Sequence, residues 1–117
     1  MNRYCFTIDL IDDPVLIETY EALHRKVWPE IIDSIYSAGI TKMEIYRLGN
    51  RLFMVMEVDE TFSFDHKAAM DQSNEKVQEW EQLMWNYQQA LPTAQPGEKW
   101  VMMNKIFDLN RNDTDYE

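Results

Sequence analysis

The segment at residues 51–59 constrains the fold of this chain more than any other. Its sequence, RLFMVMEVD, is apolar at every position from Leu52 to Met56. A strand that alternates apolar and polar residues buries one face, whereas a strand that is apolar on both faces needs cover on both. We therefore predict a sheet that is covered by helices on one face and by another protein surface on the other.

The rest of the chain predicts strands and helices in alternation around this segment. The predicted strands are residues 3–10, 42–48, 51–59 and 100–109, and the predicted helical regions are residues 14–25, 29–39 and 64–91. The turn Gly49-Asn50 joins the two central strands as a hairpin. The last helical region has a possible break near Ser73, and its apolar stripe at helical spacing comprises Val77, Trp80, Met84, Tyr87 and Leu91.

This order of elements is typical of an α+β, ferredoxin-like fold built on a split βαβ plan, with an antiparallel sheet and helices on one face. The simplest cover for the other face is the same face of a second copy. We therefore expect a homodimer in the form of a dimeric α/β barrel. The length of 117 residues suits one domain, predicted for residues 1–109, followed by a polar C-terminal tail at residues 110–117.

A proline interrupts the first helical excursion, where a helix that only packs would gain nothing from a break. Pro29 excludes the preceding residue, Trp28, from the helical conformation. We expect the first helix to end near Arg25 and a second to run from Pro29 to Gly39, since glycine commonly ends helices. The break leaves His24 in the last turn of the first helix.

Composition excludes several classes of partner. The formal net charge is −10, and no basic stripe offsets it, so we expect neither nucleic acid nor a membrane surface as a partner. Cys5 is the only cysteine, which excludes an intramolecular disulfide framework and a thiolate metal cluster. With no secretory leader pattern and no stretch of transmembrane length, a cytoplasmic location is expected.

His24 is the first candidate for chemistry. It lies one turn after Tyr20, at the margin of the apolar stripe. We expect the carbonyl end of the helix to favour the protonated ring and to hold its pKa near neutrality or above, so that it can give and take protons. A purely structural alternative is a histidine that caps helix carbonyls.

Other candidates are weaker. His66 starts a charged helical turn and is expected on the solvated surface, and no clustered ligand set predicts a metal site. Tyr20, Trp28 and Trp80 offer aromatic faces that can stack on sugars, although Trp80 also fits a core position. Glu44 is expected on the solvent side of its strand, as is Glu57.

The sequence resembles the L-rhamnose mutarotase family over nearly its whole length, up to Phe107. The resemblance rests on the run YEALHRKVWPE at residues 20–30, Gly39, the strand pair at residues 44–46 and 51–53, and Trp80. It implies a ferredoxin-like homodimer that interconverts the α and β anomers of a 6-deoxy-L-hexose without any cofactor.

By this resemblance His24 takes the catalytic acid position, and Tyr20 and Trp80 take sugar-binding positions. Met43 stands where the family has a second sugar-contacting tyrosine, and Glu81 stands where it has a second tryptophan. The segments LMWNYQQALP and PGEKW resemble the members linked to L-fucose breakdown.

Mutarotation removes a proton from the anomeric hydroxyl and delivers one to the ring oxygen, which a histidine with a neutral-range pKa can assist. The second proton carrier is open: a water, Tyr20, Tyr46 or Glu44. We include Tyr46 and Trp28 among the predicted sugar-binding residues. Two other functions remain alternatives to a mutarotase, because one fold serves many functions. They are a non-catalytic ligand-binding module and a cofactor-free small monooxygenase.

Overall fold

The computed structural model describes residues 2–110, and its elements follow the predicted order. The strands are β1 (Asn2–Leu10), β2 (Ile40–Leu48), β3 (Arg51–Val58), β4 (Gln88–Gln89) and β5 (Val101–Met102). The helices are α1 (Pro14–His24), α2 (Pro29–Ser37), α3 (Phe64–Gln72) and α4 (Glu75–Trp85). The predicted tail, apart from Asn110, lies outside the described residues.

The five strands form one antiparallel sheet. Its order is β2-β3-β1-β4, and β5 also pairs with β1. Because β3 lies between β1 and β2, the broken helical excursion connects two strands that are not neighbours, as the split βαβ plan requires. The predicted α+β fold with an antiparallel sheet is confirmed.

The strand β3 has two different faces. Met54 lies opposite Phe6 of β1 and Ile45 of β2, on the face that packs against the helices. Val55, on the other face, lies opposite Cys5 of β1. We call this second face, defined by Cys5, Thr7, Tyr46, Phe53 and Val55, the open face of the sheet.

The main core lies between the sheet and the helices. Ile8, Leu10 and Leu52 of the sheet are almost fully buried, and they form one cluster with five buried helical side chains: Tyr20, Ile31, Val77, Trp80 and Met84. Helices α1 and α4 begin at side-chain caps: the carboxylate of Asp13 accepts from two backbone N–H groups of α1, and the amide oxygen of Asn74 does the same for α4.

The last predicted helix is shorter than expected. Helix α4 ends at Trp85 with Asn86 as its C-cap, and Gln88 already pairs with Leu10 of β1. The predicted stripe therefore overran the helix by two positions, Tyr87 and Leu91. Apolar spacing continued past the end of the helix because Tyr87 remains packed against the core from the following turn.

The last predicted strand is also shorter. Only Val101 and Met102 pair with β1, and Met103 adds one backbone hydrogen bond to the carbonyl of Cys5 (2.8 Å). Beyond it the chain leaves the sheet, and Ile106 and Phe107 are exposed. The prediction of a strand to Leu109 was wrong, since an apolar pattern without a neighbouring strand forms no ladder.

Within residues 2–110, none of the helices is both long and apolar enough to cross a membrane.

Candidate functional site

A cavity of ≈ 660 Å³ opens between the helices and the helix-covered face of the sheet. Such a volume is in the range of small-molecule sites. Its lining combines aromatic and apolar side chains with a few polar groups, among them Tyr20, His24, Met43, Trp80, Glu81 and Gln88. Five of these six residues were predicted from the sequence, and the cavity brings them together.

His24 is the last residue of α1, and its ring lines the cavity. Its Nδ1 lies 2.9 Å from the backbone carbonyl oxygen of Tyr20. A carbonyl oxygen only accepts hydrogen bonds, so Nδ1 carries the hydrogen and the lone pair of the neutral ring is on Nε2. One ring therefore bonds a carbonyl of its own helix and lines the cavity.

Burial lowers the pKa of His24 below its ordinary value of 6.5, and the hydrogen bond to the Tyr20 carbonyl opposes this shift. The expectation that the helix end would hold the pKa near neutrality or above was wrong. Desolvation disfavours the charged ring more than the single helix carbonyl stabilises it. At neutral pH the imidazole is therefore uncharged and can accept a proton.

Aromatic rings surround His24. Its ring centroid lies 4.3 Å from that of Tyr20 and 5.5 Å from that of Trp80, which it meets edge to face. Trp80 in turn meets Trp28 edge to face at 5.1 Å. Trp80 is both a core residue and part of the cavity wall, whereas Trp28 supports Trp80 without itself lining the cavity.

Met43 and Glu81, where the resemblance implies a tyrosine and a tryptophan, both line the cavity. Met43 lies on β2 near Met54 and Met56, which gives this wall an apolar, methionine-rich surface. Glu81 is paired with Lys99, whose Nζ lies 3.8 Å from Glu81 Oε1 and donates to the Glu81 carbonyl at 2.9 Å. Burial lowers the pKa of Lys99, and Glu81 opposes that shift.

Tyr46 does not reach this cavity. Its register neighbour is Phe53, so it lies on the open face of the sheet, where its hydroxyl donates to the carboxylate of Glu44 at 3.2 Å. The neighbouring residue Ile45 lines the cavity instead, and successive strand residues point to opposite faces. The structure therefore does not bring Tyr46 or Glu44, two candidates for the second proton carrier, next to His24.

Sequence reasoning missed several polar residues of the cavity, among them Gln88 and Lys99. Gln88 was assigned to the helical stripe region, and only the end of α4 at Asn86 moves it into β4 beside Leu10. Its Nε2 lies 3.4 Å from the hydroxyl of Tyr20. Lys99 lies in the loop before β5, and no local pattern links it to Glu81, 18 residues earlier.

The interruption at Pro29 has the predicted geometry. Helix α1 ends at His24, Trp28 is extended with φ −55° and ψ 135°, and α2 begins at Pro29. If α1 continued past His24, its next turn would cover the ring of His24. The break instead leaves the imidazole on a helix end that faces the cavity.

Comparison with known proteins finds similar sequences along nearly the whole chain. A family model described as L-rhamnose mutarotase matches residues 3–109. The chain is 47% identical over 112 residues to the L-fucose mutarotase of Xanthomonas campestris pv. campestris, and this match covers 94% of this chain and 90% of that protein.

Two solved structures have the same fold. One is the L-rhamnose mutarotase of Formosa agariphila, with a TM-score of 0.71 and 20% identity, covering 93% of this chain and 99% of that one. The other is a dimeric ferredoxin-like protein from an uncultured marine organism, with a TM-score of 0.53 and 12% identity, covering 80% and 95%. These two structures show the fold, and the family model together with the 47% identical relative shows that this chain belongs to the L-rhamnose mutarotase family of sugar isomerases.

Proposed function

We propose that this protein interconverts the α and β anomers of a 6-deoxy-L-hexose, with His24 as the group that moves the proton of the anomeric hydroxyl. One observation carries the proposal: on the wall of a cavity, a neutral imidazole has its Nδ1 occupied by a helix carbonyl. Its tautomer is thereby set, and Nε2 is the acceptor available for chemistry.

The reaction requires two proton transfers. His24 Nε2 takes the proton of the anomeric hydroxyl as the C1–O1 bond becomes a carbonyl and the C1–ring oxygen bond breaks. The ring oxygen takes a proton from Tyr20, a buried residue whose ring lies beside the imidazole of His24. Rotation about C1–C2 and the reverse transfers close the ring as the other anomer and return both protons.

Tyr20 is available for the second transfer as a proton donor: burial raises the pKa of its phenol above 10.0, and the hydrogen bond with Gln88 opposes the shift. The phenol is therefore protonated at neutral pH. An alkoxide that forms at the ring oxygen is more basic than a phenolate, so the proton moves toward the sugar. With Tyr46 and Glu44 on the open face, Tyr20 is the carrier that this site supports best.

The chemistry of the cavity favours a neutral sugar with a methyl group. The aromatic faces of Tyr20 and Trp80 are suited to stack on the apolar side of a pyranose, and the methionines at 43, 54 and 56 offer an apolar surface for C6. We propose L-fucose as the preferred substrate, because the 47% identical relative is an L-fucose mutarotase. L-rhamnose, which the description of the family model implies, is the second candidate.

Exchange NMR on the anomeric protons tests this function. We expect the wild-type protein to speed the exchange between the α and β resonances of L-fucose well above the solvent rate, and that of L-rhamnose less. A panel with the corresponding hexoses that retain a hydroxyl at C6 measures the contribution of the methyl group. If the protein binds these sugars and leaves exchange at the solvent rate, it is a binding module and the proposal is wrong.

We also expect a characteristic pH dependence of this exchange. The proposed base works only when neutral, and burial lowers the pKa of His24 below 6.5. As the pH falls, activity should therefore persist through 6.5 and decline only at lower pH, where the ring becomes protonated. Exchange rates measured across the acid range, with the buffer-catalysed rate subtracted, locate the midpoint. A decline centred above 6.5 would exclude the buried ring as the titrating group.

We propose that the open face of the sheet forms a homodimer interface. Phe53 and Val55 are only partly covered within one chain, and together with Cys5 and Thr7 they present a largely apolar surface in the centre of the sheet. The same face of a second copy, related by a twofold axis, would cover both surfaces at once.

The substitution Val55→Asp tests this interface by placing a carboxylate in its centre. We expect the wild-type protein to sediment as a dimer at micromolar concentration and the variant to sediment as a monomer, because an unpaired charge in an apolar interface is strongly unfavourable. Val15→Asp makes the same change at an exposed position of α1 and should leave the dimer intact. A wild-type monomer would refute the interface.

We further propose a cytoplasmic location. The single cysteine, Cys5, is a free thiol in the structure, which fits a reducing compartment. Cell fractionation tests this assignment, and we expect the protein in the cytoplasmic fraction.

A further inference from the structure

The side-chain amide of Gln88 is incompletely hydrogen-bonded. The residue is buried, with 6% of its surface exposed. Its Nε2 donates to the hydroxyl of Tyr20 at 3.4 Å. Its Oε1 accepts from no residue in the described part of the chain, and there it is the one buried side-chain polar atom without a partner.

A buried carbonyl oxygen without a donor is unfavourable and uncommon in folded proteins. The unfavourable free energy is removed if an apolar residue replaces the glutamine, or if a bound molecule supplies a hydrogen-bond donor to the oxygen. Gln88 also lines the cavity that contains His24. A hydroxyl of a bound sugar is a donor of the right kind at the right place.

We propose that Gln88 is a substrate-binding residue, whose Oε1 accepts a hydrogen bond from a ring hydroxyl of the sugar while its Nε2 holds the Tyr20 hydroxyl. The inference rests on the proposed mutarotase function and adds a residue that selects the substrate. The terminal torsion of a glutamine is broad, so a small rotation of the amide turns Oε1 toward the cavity while Nε2 stays beside the Tyr20 hydroxyl.

This arrangement gives one wall of the site a paired pattern of donor and acceptor. The Tyr20 oxygen accepts from Gln88, which leaves the phenolic hydrogen free to point at the ring oxygen. Gln88 Oε1 accepts from a hydroxyl next to it. A sugar that presents a hydroxyl donor there satisfies the buried oxygen, whereas an analogue without that donor leaves it unpaired, and sites of this kind discriminate strongly.

The first test is Gln88→Met, which keeps the length of the side chain and removes both polar atoms. We expect kcat/KM for anomer exchange to fall by about 10-fold or more, mainly through KM, while the melting temperature stays the same or rises because an unpaired buried oxygen has been removed. Gln89→Met, the same change at the exposed neighbour in β4, should alter neither quantity.

The second test uses the wild-type protein and L-fucose analogues in which one ring hydroxyl is replaced by fluorine, which cannot donate. Calorimetric titration should show that one analogue binds about 10-fold more weakly than L-fucose, and that Gln88→Met binds this analogue and L-fucose equally. The comparison of analogues on the wild-type protein involves no variant, so it does not depend on the stability of one.

The outcomes separate the inference from the function on which it rests. Exchange at the solvent rate by wild-type protein would refute the proposed function itself. Normal exchange by Gln88→Met with a lowered melting temperature would show that Gln88 only supports the fold. Equal binding of every fluorinated analogue by the wild-type protein would likewise overturn the role of Gln88 and leave the mutarotase assignment standing.

Discussion

Replacement of His24 by alanine is expected to slow anomer exchange by about 10²–10⁴-fold, the contribution typical of a general acid–base group. The imidazole is the group on the cavity wall that is neutral at physiological pH and has an acceptor nitrogen left over, because Nδ1 is bonded to the Tyr20 carbonyl. Tyr20 cannot replace it, since a phenol with a raised pKa is protonated and does not accept the anomeric proton.

His66 provides the matched control for this substitution. It is the other histidine of the chain, it is exposed on α3, and its backbone N–H rather than its ring contributes to the cap at Ser63. His66→Ala should retain wild-type exchange, and His24→Ala should retain a cooperative unfolding transition. An unchanged exchange rate in a folded His24→Ala protein would contradict the mechanism.

Replacement of Gly39 by alanine is expected to destabilise the fold by about 2–5 kcal/mol. Gly39 ends the second helical segment with φ +94°, a conformation in which a side chain costs about 1–2 kcal/mol. A Cβ atom there would lie 2.7 Å from both Asp59 Oδ1 and Thr61 Oγ1, and overpacking of this kind adds about 1–3 kcal/mol.

The neighbours of Gly39 have little freedom to move away. Thr61 donates to Asp59 Oδ1 through its hydroxyl at 2.6 Å and through its backbone N–H at 2.9 Å. The backbone N–H of Asp59 in turn donates to the carbonyl of Gly39 at 2.9 Å. A methyl group therefore displaces a connected set of hydrogen bonds rather than one flexible side chain.

Gly49 separates the two contributions. It also has a positive φ, +60°, but nothing lies within 4 Å of a Cβ added there. Gly49→Ala should therefore lose only the conformational part, about 1–2 kcal/mol. Urea unfolding of the wild type and the two variants, compared at equal m-values, measures the loss in free energy of unfolding for each variant. Equal losses for the two variants would show that the contacts around Gly39 relax without cost.

The features that could be predicted from the sequence are those fixed by nearby residues. The end of α1 and the extended Trp28 follow from Pro29 alone, and the hairpin of β2 and β3 follows from two apolar strands around Gly49. His24 was found because the helix break and the spacing from Tyr20 are local. The lowered pKa of His24 could not be predicted, because the burial of its ring depends on Trp80, which is distant in sequence.

The residues missed in the site have the same physical origin. Gln88 and Lys99 reach the cavity through partners far away along the chain, so no spacing rule could find them. Tyr46 is a different case. Once Ile45 is assigned to the helix-covered face, the strand period of two places Tyr46 on the other face, and this was readable from β2 without the structure.

The edge-to-face contact between His24 and Trp80, 5.5 Å between ring centroids, has an optical consequence. A protonated imidazole quenches the emission of an indole that it touches, whereas a neutral one does so far less. Trp80 therefore reports the charge of His24 from inside the protein. A fluorescence titration with acid, read against a Trp80→Phe variant, would follow the proton of this single ring without a label or a substrate.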